Sequence, residues 1–450
     1  MDKYDLIVVG AGIGGALSAK IAAAKDFKVC LIDQKPEKKI GDKICGEAMG
    51  KHHFDNLGLA PPTGDELASI VKGIDIFSPD KKTIFRIEEE KLHGYMINRY
   101  ELGQRFLQEA LDSGVELHHS TQVLNPLIEK SFIKGVRAKN GSPKKLREFI
   151  GSIVIDSSGM DAIIRKQVPD DWIFERNLSG EDTAILYQEI REVSDIKEPA
   201  YPQIYLNQTI SPGGYYWIFP KGQNIVNVGL GLQMKEGFLN PRKLFYNDLL
   251  SEPFFNNSKK IRGGGGFVST RRPLNTMVGN GVLFIGDAAS QPSPVSGGGI
   301  GPSMEAGYLA AKVACKAIEQ SDVSQRGMWD YNLEYMTQYG GKSAGLDIFR
   351  IFLQKCSNED LDYGMYNKLI KEDDLLKASI GENLKLNITD KAQRVFRGLR
   401  RFSFLKALAM TADKMKAIKE LYSQFPQPQD HVQWSQKVES LVKEMKNMSI

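Results

Sequence analysis

The sequence has few cysteines and histidines, and what it has forms no metal-ligating pattern. Its four cysteines in 450 residues (Cys30, Cys45, Cys315 and Cys356) show no CxxC spacing, and its six histidines form no ligand motif. This excludes a disulfide-rich secreted scaffold and a zinc finger, and no metal site is predicted. Reduced thiols of an intracellular protein are the simplest interpretation.

The sequence also lacks a strong charge excess and a long apolar run. A net charge of +4 in 450 residues is too small to indicate nucleic-acid binding. No apolar run approaches the roughly 18–20 residues of a membrane span, and no basic leader precedes the first predicted strand. We expect a cytoplasmic protein, either free or bound peripherally at the inner face of the membrane.

The first 33 residues form one continuous nucleotide-binding pattern. Residues 4–9 predict a buried strand, and residues 16–25 are rich in helix formers. Between them lie glycines that permit a tight turn and close approach to a diphosphate: Gly10, Gly12, Gly14 and Gly15. The next predicted strand, 28–32, ends at Asp33, whose carboxylate is placed to accept hydrogen bonds from ribose. A purely structural turn is the alternative, but the complete order favours a dinucleotide site.

A distant segment indicates which dinucleotide is bound. Residues 282–285 predict a buried strand ending at Asp287, and a glycine-rich loop then opens a predicted helix over 302–318. Asp287 can hold a ribityl chain. The helix N-terminus at Gly298, Gly299 and Ile300 can stabilise negative charge on a reduced isoalloxazine. An ordinary turn before a core helix is the alternative.

Together the two segments resemble the FAD-binding proteins of the glutathione-reductase/para-hydroxybenzoate-hydroxylase fold. The resemblance implies FAD as the cofactor. It also implies that Arg99, at the start of a predicted helix over 98–110, contacts the diphosphate. Further cofactor contacts implied by the resemblance are Ile44, Cys45, Gly46, Glu47 and Val123.

The predicted fold class is α/β with interleaved domains, because no repeat or low-complexity linker divides the chain. We predict a Rossmann-type FAD-binding domain from 1–57, 95–165 and 270–327. Strand patterns and hairpin turns predict an antiparallel-sheet substrate domain from 58–94 and 166–269, followed by a helical C-terminal region, 328–450. Within it, residues 391–422 carry nine Lys and Arg. They form either a solvated helix face or a site for an anionic membrane or acidic partner.

Residues 211–222, SPGGYYWIFPKG, form a second specific pattern. Strand alternation puts Tyr215, Trp217 and Phe219 on one face, as a cavity wall or as a core aromatic stripe. With the flanking prolines they match PxxYxWxFP. Together with DKICGEA around Cys45 and TRRP at 270–273, this pattern makes the whole chain resemble the archaeal-type geranylgeranyl reductases.

The resemblance implies that reduced FAD saturates isolated C=C bonds of geranylgeranyl diphosphate or of geranylgeranylated glycerophospholipids. An isolated alkene has no carbonyl to polarise, so it needs a proton donor and groups that stabilise positive charge. Tyr215 and Cys45 are the candidate donors, and Trp217 and Tyr215 the candidate stabilising groups. For Cys45, an unreactive thiol packed against FAD is the alternative.

Two other features bear on substrate and electron donor. Arg271 and Arg272 are candidates for binding the headgroup, or they pair only with acidic residues. The sequence contains no second complete GxGxxG unit, which favours an external low-potential donor such as ferredoxin over NADPH.

Two alternative functions follow from the same fold. One is a flavin-dependent monooxygenase or halogenase. Residues 156–159, DSSG, weaken it because they lack the Asp-Gly pair usual in flavin hydroxylases. The other is a flavoprotein that binds isoprenoid without reducing it.

Overall fold

The computed structural model describes residues 2–90, 93–141, 145–172, 174–234, 237, 239–369, 371–372, 375 and 401–450. Its largest sheet has the order β17-β18-β11-β1-β2-β8, and β9 and β10 extend it from β11. The strands are β1 (Asp2–Val9), β2 (Val29–Ile32), β8 (Glu116–His118), β9 (Thr121–Glu129), β10 (Phe132–Asn140), β11 (Lys145–Asp156), β17 (Val278–Gly279) and β18 (Val282–Phe284).

Strands β18, β11, β1, β2 and β8 of this sheet pair in parallel, and β2 and β18 are apolar and buried throughout. Helices α1 (Ile13–Ala23), α3 (Arg99–Asp112) and α5 (Ile300–Glu319) follow the pattern predicted for them. At the crossing of α1 and α5, a Cβ on Gly14 would overlap the carbonyl of Ser303, and a Cβ on Gly307 would overlap that of Gly14. Glycine therefore lets the N-terminal halves of these two helices pack in direct contact.

A seven-stranded sheet has the order β16-β12-β15-β14-β13-β5-β6 and is antiparallel except between β13 and β5. Its strands are β5 (Gly73–Phe77), β6 (Ile84–Glu88), β12 (Thr183–Glu192), β13 (Gln203–Tyr205), β14 (Tyr215–Pro220), β15 (Ile225–Gln233) and β16 (Lys259–Ser269). Helix α4 (Pro241–Leu244), continued by a π-turn over Phe245–Leu249, covers one face. The predicted substrate-domain strands are confirmed.

The segment 58–94 does not join that sheet as a whole, which corrects the prediction. β4 (Leu67–Val71) pairs instead with β7 (Gly94–Ile97) in a separate three-stranded sheet that also contains β3 (Ala48–Gly50). Only β5 and β6 reach the seven-stranded sheet. The predicted domain limits themselves stay predictions.

The C-terminal part is helical in its described residues, as predicted. Its helices are α6 (Asp330–Tyr335), α7 (Gly341–Leu353), α8 (Asn358–Tyr366), α9 (Phe402–Ser423) and α10 (His431–Lys446), and a short α2 (His52–Leu57) precedes them in the chain. Their apolar faces share one core with the parallel sheet. Residues 391–400 of the basic segment lie outside the described residues. None of the described helices combines the length and the apolar character needed to cross a bilayer.

Candidate active site

The first glycine-rich turn leaves the N-terminus of α1 open. Gly10 has φ +99°, and a Cβ there would overlap the carbonyl oxygen of Ser157, so only glycine fits. A Cβ on Gly15 would overlap the carbonyl of Gly10, whereas one on Gly12 would meet no described atom within 4 Å. The space next to Gly12 at the start of α1 is therefore open, which suits a diphosphate bound at this helix N-terminus.

Asp33 stands beside this turn, as predicted from its place after β2. Its carboxylate accepts N–H bonds from Ala11 and Lys35, both at 2.8 Å, which fix its orientation and leave lone pairs for ribose hydroxyls. The carbonyl of Asp33 accepts the N–H of Thr121 at 2.8 Å. That bond brings the start of β9 to the same place, although the side chain of Val123 itself is buried there opposite Ala138.

The second acid, Asp287, follows β18, and its carboxylate lies 2.7 Å from the ammonium of Lys43. Lys43 belongs to the segment that carries Ile44, Cys45, Gly46 and Glu47, so the ion pair joins the two predicted cofactor segments. The loop with Gly298 and Gly299 leads directly into α5 at Ile300.

Arg99 is the first residue of α3, and its backbone N–H donates to Glu47 Oε1 at 3.3 Å. The buried Nε atom of its guanidinium has no hydrogen-bond partner in the described chain. A buried hydrogen-bond donor without a partner costs free energy unless a bound ligand accepts its hydrogen bond. The open start of α1, the fixed Asp33 and this donor together fit a dinucleotide.

Glu47 is the centre of a buried charge network. It is 2% exposed, it has φ +63°, and its Oε2 lies 2.6 Å from the ammonium of Lys221. Its Oε1 lies 2.7 Å from the guanidinium of Arg262, and Lys221 also donates to the carbonyl of Ile97 at 2.6 Å. The network ties the Cys45 segment to β7 and to the seven-stranded sheet.

The aromatic side chains of β14 form a wall next to both predicted cofactor loops. The ring centroids of Trp217 lie 6.0 Å from those of Tyr215 and 6.1 Å from those of Phe219. The indole N–H donates to Asn227 at 3.0 Å, and the Asn227 amide donates to the carbonyl of Cys45 at 2.8 Å. Phe219 also lies against Gly46, where a Cβ would be 3.2 Å from its ring.

At the other end of the wall, the hydroxyl of Tyr215 donates to the carbonyl of Ser296 at 2.5 Å, in the loop before α5. Burial raises the pKa of Tyr215 well above its usual value, and the nearby Cys45 adds to this. The thiol Sγ of Cys45 accepts the backbone N–H of Glu47 at 3.3 Å. The wall is therefore linked to the Cys45 segment and to the α5 loop.

The comparisons with known proteins agree with this geometry. The chain is 40% identical, over 98% of its own length and 98% of the relative's, to the digeranylgeranylglycerophospholipid reductase of Sulfolobus acidocaldarius. Residues 182–268 match the family model described as the geranylgeranyl reductase catalytic domain. This chain belongs to the geranylgeranyl reductase family.

Solved structures support the same fold. A geranylgeranyl bacteriochlorophyll reductase-like protein from Thermoplasma acidophilum aligns with a TM-score of 0.77 at 24% identity, covering 91% of this chain and all of that one. A flavin-dependent brominase aligns with a TM-score of 0.62 at 18% identity, covering 89% of this chain and 98% of its own. The predicted Rossmann-type α/β class with a second sheet is thus confirmed.

The family model spans the wall and three polar residues that sequence reasoning missed: Lys221, Asn227 and Arg262. Lys221 directly follows the PxxYxWxFP motif. A lysine at the end of a strand that is otherwise apolar was the one local signal that could have indicated a buried partner.

Arg271 and Arg272, the candidate headgroup residues, lie in buried ion pairs. They are 5% and 3% exposed, and Arg271 pairs with Glu175 at 2.5 Å. Arg272 pairs with Asp347 at 3.3 Å and with Glu439. The alternative of structural ion pairs describes these contacts, which join the segment after β16 to α7 and α10.

We expect Arg272→Met to lower the free energy of unfolding by about 2 kcal/mol, because the buried carboxylate of Asp347 loses one of its two guanidinium partners and keeps Arg350. The preference between diphosphate and phospholipid should not change. Burial alone would raise the pKa of Asp347, but Arg350 and Arg272 outweigh it and lower that pKa. The stabilisation is therefore present at neutral pH and is lost as the pH falls through that pKa. Urea unfolding at neutral and acidic pH, with headgroup competition assays, checks this, and a changed headgroup preference would contradict it.

Proposed function

We propose that this protein is an FAD-dependent reductase that saturates isolated C=C bonds of geranylgeranyl chains, carried by a diphosphate or a glycerophospholipid. The observation that carries the proposal is the position of the Tyr215–Trp217–Phe219 wall, which is hydrogen-bonded directly to the loop before α5 and through Asn227 to the Cys45 segment. The names of the relatives support the reaction and the substrate class. Anaerobic mixing of the reduced holoenzyme with geranylgeranyl diphosphate tests it, because substrate reduction must return the flavin to its oxidised absorbance.

The residues on the two cofactor segments fit FAD, and flavin-dependent proteins of this fold support a flavin. The start of α1 and Arg99 would hold the diphosphate, Asp33 the ribose, and Asp287 the ribityl chain, displacing Lys43. Gly298, Gly299 and Ile300, at the start of α5, would face the isoalloxazine. When bound and reduced, FAD supplies a hydride.

Arg99→Met should weaken FAD binding about 10- to 100-fold, the loss of one charge-assisted contact of roughly 1.5–3 kcal/mol. Fluorescence titration of the apoprotein with FAD measures this. Arg105, six residues further along α3, pairs with Glu66 at 2.9 Å and provides the control as Arg105→Met. Equal affinities for the Arg99 variant and the unchanged protein would remove Arg99 from the cofactor site.

Of the two candidate donors, we propose Cys45 as the group that protonates the alkene. The Glu47 N–H bond to its sulfur stabilises the thiolate that remains after proton transfer. The Tyr215 hydroxyl already donates to Ser296, and its raised pKa makes it a poorer acid. Tyr215 then closes the wall, while the indole face of Trp217 stabilises positive charge on the tertiary carbon.

We also propose an external low-potential donor such as ferredoxin, and peripheral contact with the membrane that contains the lipid. The sequence supports the first by lacking a second complete GxGxxG unit. The basic segment 391–422 supports the second proposal. Two of its cations are paired within the protein, because Arg401 pairs with Asp360 and Lys414 pairs with Glu444. Rapid anaerobic bleaching of the flavin by NADPH would contradict the donor proposal. Failure to float with anionic lipid vesicles would contradict the membrane proposal.

A flavin-dependent monooxygenase or halogenase is the second candidate, because the brominase shares the fold. Against it, the carboxylate of Asp156 is fully buried and accepts backbone N–H bonds from Ser158, Ile164 and Arg165. The Asp156 carboxylate is therefore occupied by hydrogen bonds within its own turn. Oxygen-dependent consumption of NAD(P)H would favour this second candidate.

A further inference from the structure

The face of the seven-stranded sheet that carries the aromatic wall continues into a floor made largely of glycine. In the antiparallel register, directly opposed residues point to the same face. One row runs through Tyr215, Gly231, Leu186 and Gly266. The next row runs through Trp217, Gly229, Gln188 and Gly264. We call the β12, β15 and β16 residues of these rows the groove floor.

Open space, not backbone conformation, distinguishes two of these glycines. Neither Gly231 nor Gly266 has a left-handed φ. A Cβ on Gly231 would meet no described atom within 4 Å, and one on Gly266 would meet only Leu186 at 3.9 Å and Ile44 at 4.0 Å. Ile44 adjoins Cys45, so the groove floor lies beneath the predicted cofactor segment. Side chains are absent where a chain-like ligand would need room.

Gln188 is the polar group in the centre of this floor. It is 3% exposed, and its amide oxygen has no hydrogen-bond partner in the described chain. Glycines stand on both neighbouring strands, Gly229 and Gly264. A Cβ on Gly229 would overlap the indole of Trp217 and lie 2.6 Å from the Cβ of Gln188. The indole therefore reaches across Gly229 to Gln188.

An unpaired amide oxygen at such a depth costs free energy unless a ligand uses it. An isoprenoid chain offers no hydrogen-bond donor in its ground state. During reduction, however, positive charge develops on the tertiary alkene carbon, and the negative end of an amide dipole stabilises it in a water-poor site. An interaction made only in the transition state accelerates the reaction without tightening substrate binding.

We propose that the prenyl chain lies across the groove floor and that Gln188 is a further catalytic residue, whose amide oxygen faces the carbon that becomes positive. This inference rests on the proposed reductase function. In the step, the S–H bond of Cys45 breaks to release a proton and leave a thiolate, and reduced FAD would supply the hydride, so that two C–H bonds form as the C=C π bond breaks. The alkene is reduced and FAD is oxidised. Gln188 neither gains nor loses an atom.

The test is anaerobic single turnover of the reduced holoenzyme with geranylgeranyl diphosphate, followed by flavin reoxidation, together with a substrate-binding titration. Gln188→Met removes the amide at similar length, Gln188→Glu keeps an oxygen there, and Gln108→Met on the exposed face of α3 is the control. We expect Gln188→Met to slow reoxidation about 100-fold, as for loss of one transition-state dipole. Substrate affinity should be unchanged, and Gln188→Glu should recover at least part of the rate.

Several outcomes would overturn the inference. A Gln188→Met rate equal to that of the control does so, and so does a loss explained entirely by weaker substrate binding. If Gln188→Met loses its flavin, the rate of Gln188→Glu decides: a rate within about ten-fold of the control supports the proposal, and a slower rate opposes it. If the unchanged protein fails to reoxidise, the proposed function itself fails, which is a distinct result.

The path of the chain is tested separately by Gly231→Leu, which fills the open space of the groove floor. We expect this variant to lose reduction of geranylgeranyl diphosphate while it still reduces the shorter geranyl diphosphate. Equal reduction of both substrates would show that the prenyl chain does not lie over Gly231, and it would overturn the proposed position of the prenyl chain.

Discussion

Cys45→Ala is expected to slow alkene reduction about 100- to 1000-fold while leaving FAD bound, because it removes the general acid of the reaction. The thiol is placed for this role by the 3.3 Å bond from the Glu47 N–H and by its position next to the aromatic wall. Single-turnover reoxidation of the reduced flavin measures the chemical step without product release. The absorbance of the purified variant reports the bound flavin.

Two controls separate proton donation from a general effect of losing a thiol or a wall contact. Cys315 lies buried in α5 within the main hydrophobic core, so Cys315→Ala should leave the rate unchanged. Tyr215→Phe should slow alkene reduction roughly five-fold, as expected for the loss of one hydrogen bond of about 1 kcal/mol. If Tyr215→Phe proves the slower variant and Cys45→Ala keeps full activity, the donor assignment is wrong.

Lys221→Met is expected to lower the free energy of unfolding by roughly 3 kcal/mol, since it removes one member of a buried ion pair. Glu47 would keep Arg262, at 2.7 Å, but lose the ammonium at 2.6 Å and the link to Ile97. The Cys45 segment should also loosen, so that Cys45 reacts faster with iodoacetamide in the folded protein. Urea unfolding and alkylation rates measured on the same samples check both effects.

Lys51→Met is the matched control, because Lys51 pairs with Asp55 at the surface at 2.6 Å. Exposed pairs contribute little, so the unfolding midpoint of this variant should stay near that of the unchanged protein. Equal midpoint shifts for the Lys51 and Lys221 variants would show that the Glu47 network does not stabilise the fold beyond an ordinary surface pair.

The features that the sequence predicted are those whose signals are local. Strand β1, the glycine turn, α1, β2 and Asp33 follow one another within 33 residues, and each constrains the next. The aromatic wall was predictable because alternation along a strand determines which side chains share a face. The helix before which Gly298 and Gly299 stand was likewise marked by its own glycines and proline.

Features that depend on distant segments were missed or misjudged. Glu47 meets Lys221 and Arg262 across 174 and 215 positions of the chain, and no local pattern announces that contact. The TRRP arginines look like a headgroup site in sequence, yet Glu175 and Asp347 converge on them from elsewhere in the fold. The strands of 58–94 fall in two different sheets for the same reason, because tertiary contacts with distant segments determine which strands pair.

The proposed reaction adds hydrogen to isolated double bonds of geranylgeranyl chains. The most direct measurement is anaerobic: the purified holoenzyme is reduced with dithionite and offered geranylgeranyl diphosphate and a digeranylgeranylglycerol phospholipid separately. Mass spectrometry then follows the products. We expect stepwise gains of two hydrogens on at least one substrate, and we expect Cys45→Ala to abolish or strongly slow these gains. Unchanged masses on both substrates, with the flavin fully reduced, would contradict it.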